Sequence, residues 1–325
     1  MNGGSIYCEN CQLQFAETLF SNNFALNGGS VTVIGSSFTE FQSIQIINNY
    51  AYNYGGFVYI QKDLLSLKRL LNEDDSEQQE NQLEIYQSHS FIELRQLSSL
   101  IGPILRMISI EDCYQNYAYN KGGVVYADSQ DIDIEIDGLI QSETQALRQM
   151  GGVIHLQNAK SINITQSDFS IFQSPSGSCI SSVGLNTKIH ISKTNFLENE
   201  EAEFPANYLN SDSPSTYGVI YIKTADLVLF SENVFTNSYQ KKYGGAIYIS
   251  NSYFYDSDST YEFSLAFNGG IMYLKEMYDV KINNINIEYA MAIENGAAMY
   301  IDSSFVLALT LGMEMDMHLF FMFKM

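Results

Sequence analysis

GGAIYI, residues 244–249, is the unit from which the fold can be predicted, because near-copies of it recur along the chain. Glycine pairs begin at Gly3, Gly28, Gly55, Gly122, Gly151, Gly244 and Gly269. Weaker copies are YGVIYI from Tyr217, GSCISS from Gly177 and GAAMYI from Gly296. Neighbouring copies are mostly 25 to 29 residues apart. A constant period of this length is typical of solenoid proteins, in which each repeat forms one structural unit.

Each glycine pair is followed by residues that alternate between two sides of a strand. In GGFVYI, residues 55–60, Val58 and Ile60 lie on one side, and Phe57 and Tyr59 lie on the other. A second alternating run follows in many copies, such as SINIT at residues 161–165. Helical periodicity is missing between these runs, so each repeat supplies two or three short strands and several turns.

These short strands predict an all-β fold, a right-handed parallel β-helix of about ten turns over residues 1–301. The glycines suit a corner with positive φ or a close approach of backbone. Asparagines near that corner are expected to bond from turn to turn; they are Asn27, Asn53, Asn120, Asn268 and Asn295. The predicted buried residues are Ile6, Val58, Ile60, Ile154, Leu156, Ile220, Ile222, Ile247, Ile249 and Ile301.

Three segments depart from the repeat. Polar inserts near residues 62–90 and 199–216 are expected to leave the coil as loops, and GPILRM from Gly102 is a possible degenerate copy between Gly55 and Gly122. Residues 302–325 form an apolar C-terminal tail or an incomplete cap. Charged residues interrupt that tail, so no transmembrane segment is expected in this chain. MNGGSIYCEN, residues 1–10, does not resemble a signal peptide. We therefore expect a fragment of a larger, membrane-anchored protein.

The charge balance limits the partners. The chain has 37 acidic and 16 basic residues among 325, a net charge of −21, and 46% hydrophobic residues. This composition supports a folded core. A strongly negative surface repels nucleic acid and anionic lipid headgroups. Neutral or cationic partners, such as glycans or surface proteins, and Ca²⁺ remain compatible with it.

The four cysteines do not form a disulfide framework by their number or spacing. CENC at residues 8–11 has the spacing found in redox and zinc sites, but a second such pair and a nearby histidine are missing from the sequence. Cys8 also occupies the last aliphatic position of GGSIYC, so it is interpreted as a small buried residue.

The repeats resemble a known group of proteins. Copies of G-G-A-I/L/V occur with F-x-x-N at Phe20 to Asn23 and Phe196 to Asn199, and with the variant Cys113 to Asn116. They resemble polymorphic outer-membrane-type adhesins and the pectin-lyase-like β-helical segments of large ciliate surface proteins. This resemblance covers most of the chain and implies a β-helix on the extracellular face of a membrane. It implies no single chemistry.

The tyrosine of IYI should form a file along one outer side of the coil. The residues at this position are Tyr7, Thr32, Tyr59, Tyr126, His155, Ser181, Tyr221, Tyr248, Tyr273 and Tyr300. Neighbouring turns are about 4.8 Å apart, so the rings can stack on each other without any ligand. They can also form a platform for sugar rings. Tyr221, Tyr248, Tyr273 and Tyr300 form the longest run and are the candidate ligand-binding residues.

The sharpest charge pattern is DIDIEID at residues 131–137. Its isoleucines should face inward, which places Asp131, Asp133, Glu135 and Asp137 in an outer row. Such a row is usually the solvated side of a strand, and it is a weak candidate for a Ca²⁺ site.

Two functions from different classes fit these patterns. The first is a non-enzymatic structural or adhesion segment of the cell surface, which would bind glycans or surface proteins. The second is a carbohydrate-active β-helix enzyme, a polysaccharide lyase or glycoside hydrolase. An enzyme requires converging acids and bases, and we identify no catalytic residues in the sequence. One glycosylation sequon occurs at residues 163–165.

Overall fold

The computed structural model describes residues 2–35, 38–61, 103–197, 216–302, 307–310 and 321–324. Within these ranges every regular element is a β-strand, and all paired strands are parallel. They stack as a β-solenoid of about nine turns. The predicted all-β parallel β-helix is confirmed, and its length is close to the ten turns expected from the glycine repeat.

The strands are numbered in chain order. The first nine are β1 (Ile6–Glu9), β2 (Leu13–Ala16), β3 (Leu19–Ser21), β4 (Phe24–Asn27), β5 (Val31–Ile34), β6 (Phe38–Gln42), β7 (Gln45–Ile47), β8 (Tyr50–Tyr54) and β9 (Val58–Gln61). The next eleven are β10 (Ile104–Tyr114), β11 (Tyr117–Ala118), β12 (Val125–Asp128), β13 (Asp133–Ser142), β14 (Thr144–Ala146), β15 (Ile154–Gln157), β16 (Ser161–Thr165), β17 (Asp168–Ser170), β18 (Phe172–Gln173), β19 (Ile180–Ser192) and β20 (Asn195–Leu197). The last are β21 (Ile220–Ser231), β22 (Val234–Thr236), β23 (Ile247–Ser250), β24 (Tyr253–Ser257), β25 (Thr260–Asn268), β26 (Met272–Lys275), β27 (Asp279–Asn283), β28 (Asn286–Asn295), β29 (Met299–Asp302), β30 (Leu307–Thr310) and β31 (Phe321–Lys324).

The coil has four sides. The first side follows the glycine corner and contains the IYI-type strands, among them β1, β9, β23 and β29. The second side contains β2, β6, β16, β24 and β27. The third contains β3, β7, β17, β20 and β22. The fourth contains the separate five-stranded sheet of β4, β8, β11, β14 and β18. Long strands such as β19 and β21 bend from the first side onto the second.

The register stacks equivalent residues directly above one another. Ile247 pairs with Ile220 in the preceding turn and with Met272 in the following turn. This repetition places the inward aliphatic residues in one continuous core. Nine of the ten predicted core residues are buried. Ile6 is partly buried because β1 pairs only with β5 in the described structure.

The two glycines of the corner serve different purposes. The first has positive φ in every pair, for example 61° at Gly244 and 66° at Gly269. At the second, a Cβ would collide with the carbonyl of the next turn, as at Gly245 against Gly270. The prediction that this corner needs positive φ or a close approach is confirmed, and both reasons apply within each pair.

Asparagine amides join the turns beside this corner, as the sequence predicted. Asn295 Nδ2 donates to Asn268 Oδ1 at 2.8 Å, and Asn120 Nδ2 donates to Asn53 Oδ1 at 3.4 Å. A second asparagine ladder lies inside the third corner, the bend between the third and fourth sides. Asn116 and Asn49 are fully buried there, and Asn49 Nδ2 donates to Asn116 Oδ1 at 3.0 Å. Asn116 belongs to the F-x-x-N pattern, whereas Asn199 lies outside the described residues.

The departures from the repeat are only partly within the described structure. The inserts near 62–90 and 199–216 lie almost entirely outside it. The described part of GPILRM lies on the second side, where Ile104 pairs with Phe38 of β6 and Asp133 of β13, and β9 pairs directly with β12. The interval from Gly55 to Gly122 is therefore one turn with an insert. Most of 302–325 is also outside the described residues, but β30 and β31 continue the parallel pairing.

Gly245→Ala should cost about 2 kcal/mol of unfolding free energy, because the added methyl group must displace the backbone of the next turn. Ser178 and Ala297 occupy the same position in two turns, which limits the expected cost. Gly138→Ala is the control: its φ is positive, unlike that of Gly245, but its Cβ would make only an ordinary van der Waals contact, 3.6 Å from Ser109 Cα, so we expect about 1 kcal/mol. Urea unfolding measures both, and equal losses would refute the role of interturn contact.

Candidate functional site

The tyrosine file lies on the first side of the coil, as predicted from the sequence. Tyr221, Tyr248, Tyr273 and Tyr300 pair in register through β21, β23, β26 and β29. Their ring centroids are 5.1, 5.5 and 5.0 Å apart, and the rings are within 20° of parallel. The structure therefore brings all four predicted ligand-binding residues into one stack.

A shorter stack continues the file in the earlier turns. Tyr59, Tyr126 and His155 follow one another at centroid distances of 5.2 and 5.4 Å. Ser181 then separates His155 from Tyr221. The file is thus two aromatic stacks with a small polar residue between them.

A second row of tyrosines at the glycine corner covers both stacks. Tyr54 packs 4.6 Å from Tyr126, and Tyr243 packs 4.7 Å from Tyr273 between ring centroids. As a result Tyr221 is only 9% exposed, and Tyr273 and Tyr300 are each 8% exposed. The rings face away from the core, but other rings cover their flat surfaces. Ligand binding by the file remains a prediction, and these exposures limit contact largely to ring edges and hydroxyl groups.

The phenols of Tyr59 and Tyr248 remain protonated at neutral pH. Burial raises the pKa of Tyr248 to about 12, and neighbouring tyrosines add to this effect. Burial similarly raises the pKa of Tyr59 to about 12, and the Tyr59 hydroxyl donates to Gln61 Oε1 at 2.8 Å. Neutral phenols can donate hydrogen bonds to a ligand, but they are poor general bases.

His155 is the last member of the shorter stack. It is 1% exposed, its Nδ1 is hydrogen-bonded to Ser181 Oγ, and burial holds its pKa well below the usual range. The nearby charge of Lys121 lowers that pKa further. A neutral imidazole enclosed by stacked rings stabilises the ladder and has no access to a substrate. Its position fits a structural role.

The acidic row is used for contacts between turns. Asp133 accepts from Lys160 Nζ at 2.7 Å, Glu135 accepts from Arg106 Nε at 2.6 Å, and Asp137 accepts from Thr165 Oγ1 at 2.6 Å. Asp131 precedes β13 and also has an interaction partner. The row spreads along one strand and its carboxylates point to different partners. Across the described ranges, no group of three or more His, Cys, Asp or Glu side chains could hold a metal ion.

Cys8 and Cys11 form a disulfide with Cα atoms 5.9 Å apart. The buried position expected for Cys8 is confirmed, since it is 3% exposed. The pairing was missed because C-x-x-C spacing alone does not distinguish a disulfide from free thiols or a metal site. Cys113 and Cys179 are free and buried. Burial raises the pKa of the Cys113 thiol far above its usual range, so this thiol is unreactive.

Two further features escaped the sequence analysis. Asp256 is a buried carboxyl group inside the core. An exposed aromatic surface also lies on the fourth side, just before the glycine corner. Its signal is the recurring segment FALN, YAYN and YAYN at residues 24–27, 50–53 and 117–120. The alternation of large residues with alanine could have indicated one outward aromatic row.

Comparison with protein-family models, curated proteins and solved structures finds no match to this chain. The parallel β-solenoid therefore rests on the chain's own structure. In the part of the chain that the structure describes, no helix has the length and apolarity needed to span a membrane.

Proposed function

We propose that this chain is a non-enzymatic structural or adhesion β-helix of the cell surface, a segment of a larger membrane-anchored protein. One observation carries the proposal: side chains on the outer sides bond or stack with their equivalents in neighbouring turns. Tyr248 stacks between Tyr221 and Tyr273, and Asn268 bonds Asn295. These groups stabilise the coil and do not converge on a substrate.

The shape suits a rigid spacer. About nine turns at about 4.8 Å per turn give a coil roughly 40 Å long. Every turn is hydrogen-bonded to the next through its backbone, so bending the coil would break several bonds at once. A net charge of −21 repels other acidic surfaces and keeps such segments apart. Neutral or cationic glycans and surface proteins are the partners compatible with it.

The surface location is supported by three features. The G-G-A-I and F-x-x-N repeats resemble polymorphic adhesins and pectin-lyase-like segments of ciliate surface proteins. The Cys8–Cys11 disulfide is a bond that persists in oxidising compartments. Asn163, in the sequon, is exposed on β16, and such triplets are modified only in secreted chains.

The proposal predicts that the protein does not cleave polysaccharides. We expect no new reducing ends and no unsaturated products when the chain is incubated with neutral and acidic polysaccharides with and without Ca²⁺. The physical reason is that His155 is enclosed and the acidic row is already paired. Turnover of any polymer would favour a carbohydrate-active enzyme. Antibody labelling of intact cells tests the location separately, and staining only after permeabilisation would contradict it.

A further inference from the structure

An exposed aromatic strip lies on the fourth side of the coil. It has two columns of outward side chains: Phe24, Tyr50 and Tyr117 in the first, and Leu26, Tyr52 and Tyr119 in the second. Phe24 stacks on Tyr50 at 5.2 Å and Tyr52 stacks on Tyr119 at 5.4 Å between centroids. Three successive turns thus present six large side chains on one flat parallel sheet.

The strip is more exposed than the tyrosine file: Phe24, Leu26 and Tyr52 are exposed, and its other three side chains are half-buried. Phe24 is 66% exposed and Tyr52 is 51% exposed. The alanines between the columns, Ala25, Ala51 and Ala118, point inward and are buried. Within the described residues no second row of rings packs on the strip, so the outward edges of its exposed rings contact solvent.

Carboxamide groups line both edges of the strip. On the third corner, Asn48 Nδ2 donates to Asn22 Oδ1 at 2.7 Å. On the glycine corner, Asn27 Nδ2 donates to Asn2 Oδ1 at 3.1 Å, and Asn120 bonds Asn53. These amides are neutral and retain further donor and acceptor capacity. An apolar aromatic surface between two amide rows matches a ligand with apolar ring surfaces and many hydroxyl groups.

The charge pattern agrees with a neutral ligand. In a chain of net charge −21, the six side chains of the strip are uncharged. Charged residues occur at the end of the strip that is nearer the C-terminus. There Arg148 lies 4.8 Å from the ring centroid of Tyr119, and Glu143 accepts a hydrogen bond of 2.8 Å from Gln115. The middle of the strip therefore attracts neither anions nor cations strongly.

The size of the strip favours a small ligand over a second copy of the chain. Three turns at about 4.8 Å, and two columns about 7 Å apart, cover roughly 100 Å². A stable protein interface buries about 800 Å² on each partner. Sugar units of an extended glycan repeat at a spacing close to that of the turns, so successive units can contact successive rings.

We propose that the aromatic strip binds a linear neutral glycan, laid along the coil axis against the outward ring edges of Phe24 and Tyr52 and the tyrosine hydroxyl groups of the strip. This inference rests on the proposed display function and names its ligand class. The amide rows at both edges bond the glycan hydroxyls. The tyrosine file on the first side then acts as a stabilising ladder.

Calorimetric titration of the full chain tests the proposal, with hexasaccharides of β-1,4-linked glucose and of β-1,4-linked N-acetylglucosamine as probes. We expect the parent to bind at least one probe, and Phe24→Ser/Tyr52→Ser to bind it about tenfold more weakly. The matched control is Tyr253→Ser/Tyr278→Ser, an exposed tyrosine pair 5.4 Å apart elsewhere on the coil. Tyr248→Phe removes one hydroxyl from the tyrosine file. Both controls should keep the parent affinity.

Each alternative has its own result. Unchanged affinity in the strip variant, or no binding of either probe by the parent, would overturn the proposal. Loss of binding in Tyr248→Phe alone would place the ligand on the tyrosine file instead. A dimer in sedimentation that the strip variant lacks would identify a second copy as the occupant. Cleavage of a probe would overturn the display function itself.

If Phe24→Ser/Tyr52→Ser melts at a lower temperature than the parent, Phe24→Leu/Tyr52→Leu replaces it, because leucine removes the rings and retains apolar volume.

Discussion

Ile247→Asp is expected to unfold the turns around β23 and to lower the free energy of unfolding by about 4 kcal/mol. Ile247 is fully buried and lies between Ile220 and Met272 in the aliphatic core. A carboxylate there would have no charged partner, and a large apolar side chain would be lost. Urea unfolding followed by circular dichroism measures the change.

Hydrogen exchange shows which turns of the coil unfold in the Ile247→Asp variant. Each turn contacts mainly its neighbours, so amides of β21, β23 and β26 should lose protection before those of β5 and β9. Tyr253→Asp is the control, because Tyr253 is 42% exposed on β24 and a charge there remains hydrated. If Ile247→Asp melts like the parent, the assignment of Ile247 to the core is wrong.

Asp256 should make the protein less stable as the pH rises from about 4 to about 7. The Asp256 carboxyl is 1% exposed and lies between Phe230 and Ile282 in the ladder. Burial raises its pKa from 3.8 to about 6, although hydrogen bonds from Ser259 at 2.6 Å and Tyr261 at 2.5 Å partly offset this. The folded state therefore binds the proton more tightly than the unfolded state does.

The sign of the pH effect follows from that difference in proton binding. Between the two pKa values the folded chain holds more protons, so the free energy of unfolding falls with increasing pH. At about 1.4 kcal/mol for each pKa unit, the loss approaches about 3 kcal/mol. Below pH 4 and well above pH 6, Asp256 no longer changes the free energy of unfolding with pH.

Comparison of the parent with Asp256→Asn separates the effect of Asp256 on the unfolding free energy from the effects of the other carboxylates. The difference in unfolding free energy between parent and Asp256→Asn should change by about 3 kcal/mol between pH 4 and pH 7, in favour of the variant at pH 7. The comparison is Asp258→Asn, two residues away and exposed: it removes a nearby charge that raises the pKa of Asp256, so it should reduce the slope slightly without abolishing it. Parallel curves for parent and Asp256→Asn would show that Asp256 does not titrate in this window.

The repeat made the fold predictable because one register applies to the whole coil. Once GGAIYI was recognised as a unit, Ile247 and Ile249 had to face inward in every copy, since strand side chains alternate. The asparagine ladder followed from the same periodicity, because identical residues meet at each turn. Ile6 is the exception because β1 has one paired neighbour in the described structure, which the local sequence does not reveal.

The other corners were not predictable from residue type. At the glycine corner, positive φ selects glycine, but elsewhere Glu17, Ser43, Asn48 and Lys193 also have φ near 50°. Such residues rarely adopt this conformation alone. The hydrogen bonds of the turns above and below hold them there, as between the Glu17 amide and the Gln42 carbonyl at 3.2 Å.

The sequence by itself determined which residues share a file: the aliphatic core, the acidic row and Tyr221, Tyr248, Tyr273 and Tyr300. It could do so because a period near 26 residues and strand alternation assign every position to a side. Only the tertiary structure decided which files contact solvent. Tyr243 packs on Tyr273 across the corner, whereas Phe24 and Tyr52 are exposed in the described structure. Exposure depends on packing between neighbouring sides of the coil, and periodicity along one strand carries no information about it.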